Sequence, residues 1–273
     1  FIQMKILLNN NDLNEALYGV SNLGFVPTMG SLHRGHISLI KKSLRMCDKT
    51  IVSIFVNPTQ FNNKKDYKNY PKNKKKDLSI LRKLKIDYVY IPNKNQVFKS
   101  VNKVKIILNK KDKILCANHR KGHFEGVIDV MDRLTSLIKP KKIFMGEKDL
   151  QQLYLVKNYI EKKYKSKIIS CKTVRDKNKL ALSSRNSLLT KSELIKCGKI
   201  ASQIRLIKNT LTNTKNTKNY LLNKKNELAE KYGIEIEYLE LRNSNNLKIT
   251  NKIKNSKLFI AYYINKIRLI DNH

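Results

Sequence analysis

Two of the five histidines in this chain stand three residues apart in "PTMGSLHRGHISLI" (27–40), a stretch that also holds Gly30 and Gly35. Glycines allow a sharp turn or a close backbone approach to a ligand. The residues that follow open a helix, whose free N–H groups and dipole favour a phosphate. On a first helical turn, His33 and His36 face roughly the same way. Two imidazoles so placed donate hydrogen bonds to phosphate oxygens and stabilise charge developing on phosphorus. A single histidine would read as a satisfied or surface residue; a pair sharing one Gly-flanked turn at a strand end reads as a site. The spacing also suits a zinc pair, with no third ligand nearby in the sequence.

Other chemistry-bearing residues follow the same placement. "SIFVNPTQF" offers the neutral amides of Asn57 and Gln60 at a strand end; the alternative is a turn amide and a solvent glutamine. "MGEKDLQQ" offers Gly146, Lys148 as a point charge for phosphate, Asp149 as an acceptor for a ribose hydroxyl, and Gln152 a turn later. An ordinary charged helix start would look similar. "LALSSRN" places Ser183, Ser184 and Arg185 in succession, suited to outer phosphates, although Ser-Ser is also a good N-cap.

The elements that must position these residues alternate. "GFVPTMG" (24–30) and "TIVSIFVNP" (50–58) read as buried strands. "GHISLIKKSLRMC" carries apolar residues at helical spacing. A helix and then a strand are expected in 75–92, a helix over 126–140, a strand and turn over 141–149, a further helix, and a strand over 167–175. Such alternation predicts an α/β, Rossmann-like parallel sheet with helices on both faces. Its ligand belongs at the carboxyl ends of the strands, where "PTMG", "NPTQF", "GEKD" and "TVRDK" fall. From about residue 176 the pattern changes. The segment starting at "SSRN" reads as one capped helix, followed by a polar connection, a helix over 217–232 and strands in "IEIEYLELRN", "KLFIAYYIN" and "KIRLID". We therefore expect a domain over 1–175 and a smaller C-terminal α+β domain over 176–273.

Composition bounds the alternatives. There are 57 Lys+Arg against 21 Asp+Glu, a formal net charge of +36. That excess suits an acidic partner, but it equally suits a lysine- and asparagine-rich compositional bias, and the basic residues are dispersed with no aromatic-interleaved basic motif. A nucleic-acid-binding protein would need those lysines gathered on one face; no specific nucleic acid is expected. Cys47, Cys116, Cys171 and Cys197 are scattered, as in a reducing cytoplasm. The apolar runs are strand-length, so no membrane span is expected, and "FIQMKILLNNN" lacks a signal-peptide pattern.

Taken in order, "PTMGSLHRGH", "SIFVNPTQF", "DYKNYPKNKKKDL", "HFEGVIDVMDRL", "FMGEKDLQQ", "TVRDKNKLALSSRN" and "IRLIDN" resemble the pantoate–β-alanine ligase (pantothenate synthetase) family over nearly the whole chain. The histidine motif alone is similar to the HIGH signature of the wider nucleotidyltransferase superfamily, so the enzymatic rival is another adenylyl-transfer enzyme. The resemblance implies an ATP-dependent ligase that joins D-pantoate to β-alanine through a pantoyl adenylate, releasing AMP and pyrophosphate. It implies Met29, His33, His36, Gly146, Lys148, Asp149, Val174, Ser183, Ser184 and Arg185 at ATP, with His33, His36, Lys148 and Arg185 catalytic. Gln60 and Gln152 would hold pantoate. Asn57, Arg120 and His123 would line the pyrophosphate or β-alanine side. Mg²⁺ would ride mainly on the ATP phosphates, with no protein metal ligand and no tightly bound organic cofactor. A homodimer is implied as well.

The chain departs from the family pattern at four places. Lys179 stands where glycine is usual, a cost on the order of 1 kcal/mol if that backbone takes a positive φ. Glu125 replaces a basic residue, Lys72 an arginine, and residues 93–100 lack the usual Met-Tyr-Pro loop. These departures bear on loop geometry and efficiency rather than on the reaction class; Lys179 together with the compositional bias also suggests a weaker alternative, a structurally intact but slow homologue.

Overall fold

The computed structural model describes residues 3–99, 105–211 and 216–273. They form two compact units. One runs up to Glu147 and includes Leu155–Lys172; the other comprises Lys148–Tyr154 and Thr173–His273.

The first unit is built on a six-stranded sheet. In chain order the elements are β1 (Lys5–Leu7), α1 (Asn10–Leu17), β2 (Leu23–Thr28), α2 (Arg34–Met46), β3 (Lys49–Ile54), α3 (Lys64–Lys68), α4 (Lys74–Lys83), β4 (Tyr88–Tyr90) and α5 (Lys94–Phe98). They continue with α6 (Cys116–His119), α7 (His123–Ile138), β5 (Lys142–Gly146), α8 (Leu150–Lys163) and β6 (Lys167–Cys171). The strands lie in the order β1-β4-β3-β2-β5-β6 and every neighbouring pair is parallel.

The pairing register explains the near-continuous apolar strands. Val26, Val52, Val89 and Phe144 meet Leu39 and Ile40 of α2 and Leu81 of α4 in one core. Phe25, Ile51 and Ile143 are each one residue earlier, so they point to the opposite side, and they too are fully buried. Both faces are thus covered, as the sequence predicts. Helix α2 approaches β2 closely: a Cβ on Gly24 would sit 2.1 Å from the Ser43 hydroxyl oxygen. From β2 the chain builds outward through β3 and β4. It then crosses back through α7 and lays β5 on the other flank of β2. The strand order therefore reverses between β2 and β5, and in such sheets that crevice is where ligands bind.

The second unit packs α9 (Lys191–Thr210) and α10 (Thr217–Tyr232) with the antiparallel meander β7 (Glu235–Asn243), β8 (Ser256–Ile264) and β9 (Ile267–Asn272). Leu180, Cys197, Ile200, Ile204, Leu258 and Ile260 share its core. The loop after β6 is tied to β9 by Arg175, which donates to both Asp271 carboxylate oxygens at 2.7 and 2.9 Å. Burial alone would raise the Asp271 carboxyl. Hydrogen bonds from His273 and Arg175 overcome that and hold it below its ordinary value.

Local chemistry shifts several expected boundaries. The helix expected over 126–140 begins three residues earlier, at His123, and β6 stops at Cys171 rather than running to 175. The single helix expected from "SSRN" onward is two elements, a 3-10 turn at Ser184–Leu188 and then α9. Thr190 and Glu193 form a capping box that starts a fresh helix, satisfying donors a continuous helix would not leave open. Residue 100 of the departing segment 93–100, and residues 212–215 of the polar connection, lie outside the described residues.

Candidate active site

Strand β2 ends at Thr28, whose hydroxyl donates to the Ser53 carbonyl at 2.7 Å and accepts the Gly30 N–H at 3.1 Å. Gly30 (φ +81) and Ser31 (φ +52) both take left-handed backbone there. The N–H groups of Ser31 and Leu32 donate to the two carboxylate oxygens of Asp77 at 2.9 and 2.8 Å. His33 then caps α2. Its Nδ1 accepts the Gly35 N–H at 3.1 Å, while Nδ1 of His36 accepts the His33 N–H at 3.3 Å, a capping box made by two imidazoles. The ring centroids are 4.1 Å apart.

Two consequences correct the sequence reading. First, His33 is the cap and only His36 lies in the first helical turn. Second, the donors of the turn before the helix are engaged, Gly30 with Thr28, Ser31 and Leu32 with Asp77 and His33 with His36, and of the helix's own first donors Gly35 is held by His33. A nitrogen that accepts an N–H carries no proton of its own in the neutral ring. Each neutral imidazole therefore carries its proton on Nε2. The imidazoles, oriented by the backbone, can offer those Nε2–H groups to an anion, with the α2 dipole behind them.

A second group forms around the 3-10 turn at Pro58–Gln60. Asn57 is 1% exposed. Its amide nitrogen donates to the Gly126 carbonyl at 3.0 Å and to the Gln60 side-chain oxygen at 3.2 Å. Its oxygen accepts the Thr59 N–H and hydroxyl at 3.1 and 2.9 Å. With its oxygen held, the Gln60 amide turns its nitrogen to Met29, 3.0 Å from the sulfur. The Gln60 backbone carbonyl is gripped in turn. Arg120 can only donate, so His123 accepts through Nε2 at 2.9 Å, and its Nδ1–H donates to that carbonyl at 2.6 Å. Arg120 also reaches the same oxygen at 3.4 Å. Close packing of α7 completes the clamp, since a Cβ on Gly126 would lie 2.5 Å from the Thr59 carbonyl oxygen.

Met29, Asn57, Gln60, Arg120 and His123 are thus brought together in the first unit, beside the histidine turn in sequence. Gly146 ends β5, next to β2 in the sheet. The remaining residues belong to the second unit, apart from Gln152's helix, which continues into the first. Lys148 lies 3.6 Å from Asp149, and its carbonyl accepts from the Asn272 amide at 2.8 Å. Gln152 is in the first turn of α8. The Val174 carbonyl accepts the Leu182 N–H at 2.9 Å, closing a loop braced inside by Asp176, which accepts the N–H groups of Asn178 and Leu180. At its end Ser183 accepts the Arg185 N–H at 3.2 Å, and Ser184 is buried. Among the described residues no three His, Cys, Asp or Glu side chains gather as a metal site. Asp77 and Gly126 went unread in the sequence. Asp77's only signal there is a lone acid ending the basic run "NKKKD", and Gly126's is a glycine inside a helical pattern.

A parallel sheet with a reversal point, two oriented imidazoles at the helix start after β2 and a clamped neutral amide in the turn after β3 define an α/β protein with polar groups gathered at its strand ends. The model of the family described as pantoate-beta-alanine ligase matches residues 5–273. The pantothenate synthetase of Francisella tularensis subsp. novicida (strain U112) is 38% identical over 268 residues, 96% of this chain and 93% of that protein. A crystal structure of pantoate-beta-alanine ligase from Francisella tularensis, complexed with beta-gamma ATP and beta-alanine, matches at TM-score 0.84 and 36% identity, covering 99% of this chain and 97% of that one. The corresponding crystal structure from Thermus thermophilus matches at TM-score 0.87 and 27% identity, with 99% of each chain covered. The chain belongs to the pantoate–β-alanine ligase family.

Proposed function

We propose that this chain catalyses the ATP-dependent condensation of D-pantoate with β-alanine to pantothenate, AMP and pyrophosphate. The observation that carries the chemistry is the imidazole pair, each Nδ1 accepting a backbone N–H, which in the neutral ring leaves the proton on Nε2. In the first step a pantoate carboxylate oxygen attacks the α-phosphorus of ATP and pyrophosphate leaves, giving pantoyl adenylate. In the second the β-alanine amine attacks the acyl carbonyl, loses a proton, and AMP leaves. The Nε2–H groups of His33 and His36 strengthen their hydrogen bonds as negative charge gathers on the phosphoryl oxygens. Met29, Gly146, Asp149 and Val174 contact the nucleotide. Lys148, Ser183, Ser184 and Arg185 meet its phosphates.

Gln60 and Gln152 orient pantoate through neutral amides, which bind hydroxyls without competing for the carboxylate's charge. Asn57, Arg120 and His123 serve on the pyrophosphate or β-alanine side, and since Asn57 holds the Gln60 side-chain oxygen while Arg120 and His123 hold its backbone carbonyl, positioning is their first task. Mg²⁺ arrives on the ATP phosphates. Residues 1–175 bind nucleotide and pantoate, and 176–273 act as a lid. We place the enzyme in the cytoplasm as a homodimer. Among the described residues no helix is long and apolar enough to cross a membrane.

The test is exchange of labelled pyrophosphate into ATP, with AMP release followed in parallel. Exchange should need pantoate but not β-alanine, AMP should appear only with both acids, and His36→Ala should lose both. Exchange that requires β-alanine would sink the adenylate.

A further inference from the structure

The carboxylate beneath the histidine turn sets it apart from the other deeply buried acids. Asp132 pairs with Lys163 at 2.8 Å and Asp271 with Arg175 at 2.7 Å. Asp77, 1% exposed, has no cation within ion-pair distance among the described residues. A buried carboxylate is costly unless its oxygens are satisfied. Here the satisfaction comes from two consecutive backbone N–H groups, Ser31 and Leu32, one to each oxygen. Asp77 also sits at the start of α4, which Asn73 caps, where the dipole favours negative charge. Both donors belong to the left-handed turn at Gly30 and Ser31, and a Cβ on Gly30 would lie 3.0 Å from a carboxylate oxygen of Asp77. Space, charge and donor direction all fix the backbone that immediately precedes His33.

We propose that Asp77 is a positioning residue for the phosphoryl-transfer step. By engaging Ser31 and Leu32 it holds the turn in the geometry that lets His33 N–H reach His36 Nδ1 and Gly35 N–H reach His33 Nδ1. It thereby selects the Nε2–H tautomer of both rings. It also withdraws two backbone donors from competition for the phosphate, so the phosphate is read by the imidazoles. The catalytic part of this inference rests on the proposed ligase activity; the tautomer part does not.

The experiment compares the full-length wild type with Asp77→Asn. Asparagine keeps the shape and one acceptor but turns an N–H₂ group toward a backbone N–H. Long-range ¹H–¹⁵N spectra of the histidine rings, thermal unfolding and pantoate-dependent pyrophosphate exchange are measured on each. In the wild type both rings should show protonated Nε2 and bare Nδ1. In the folded variant that pattern should break into mixed tautomers, and kcat for exchange should fall on the order of 100-fold, the scale of a small misplacement. KM for pantoate should stay within about twofold.

A folded variant with unchanged tautomers and kcat within about threefold of wild type overturns the proposal. So does protonated Nδ1 on either ring of the wild type. If Asp77→Asn does not fold, Asp77→Glu is measured instead; it keeps both acceptors one methylene further out, and unaltered spectra and kcat there overturn the proposal equally. A wild type with the expected tautomers but no exchange would instead overturn the ligase reading and leave the tautomer role standing.

Discussion

Lys179 tests at one residue what the sequence can and cannot disclose. The resemblance implies glycine where Lys179 stands, which predicts a positive φ, and φ there is +70. Asp176 holds the strained turn by accepting the N–H groups of Asn178 and Leu180. The other departures find local partners too. Glu125 stands in the first turn of α7, where the helix dipole favours an acid. The Lys72 ammonium lies 5.2 Å from the Tyr67 ring centroid, within reach of a cation–π attraction. We expect Lys179→Gly to relieve about 1 kcal/mol of backbone strain, partly offset by glycine's freedom in the unfolded chain. The net gain should be about 0.5 kcal/mol in denaturant unfolding. Lys179→Ala, which keeps the Cβ, should gain nothing; an equal gain from alanine would mean that lost charge, not φ, was responsible. That His33, His36 and Gln60 would fall just after buried strands was legible from the pattern of apolar runs and polar motifs. Their hydrogen-bond directions were not, because an imidazole cap depends on backbone angles that residue types alone leave open.

Among the elements, the buried strands and the longer helices were readable from period and composition. The short pieces, β1, α3, α5 and α6, were not, since three to five residues carry no period. The contact of α7 with the 58–60 turn was equally invisible, because it joins segments far apart in the chain through a missing side chain. That contact makes a sharp prediction. In an isolated helix Gly126→Ala would stabilise by about 1 kcal/mol. Here its Cβ would meet the Thr59 carbonyl oxygen at 2.5 Å, so α7 and the turn must separate, at an overpacking cost of about 1–3 kcal/mol. The Asn57 bond to the Gly126 carbonyl and the orientation of Gln60 go with that movement. We expect kcat/KM for pantoate to fall about tenfold, equivalent to about 1.4 kcal/mol, with KM for ATP little changed. Wild-type stability together with an unchanged pantoate KM would show that the turn absorbs the methyl without moving Gln60.

For the whole molecule the open quantity is the charge, +36 over 273 residues. The fold does not depend on it. The buried ion pairs use a few of the cations, and the lysine-rich composition is compatible with the family's sheet and site alike. Its consequence is kinetic. ATP and pantoate are anions and should be drawn toward a cationic surface faster than neutral molecules of their size. β-Alanine is a zwitterion of zero net charge at neutral pH, so it provides an internal control. Raising the ionic strength from about 0.02 to 0.5 M shortens the screening length from roughly 20 Å to about 4 Å. Across that range kcat/KM for ATP and for pantoate should fall several-fold, ATP more steeply because of its higher charge. The value for β-alanine should stay level, and kcat should not change. A parallel fall for all three substrates would report a general effect of salt on the enzyme. Three flat lines would mean that the lysines are felt by neither substrate, leaving compositional bias as the account of the charge.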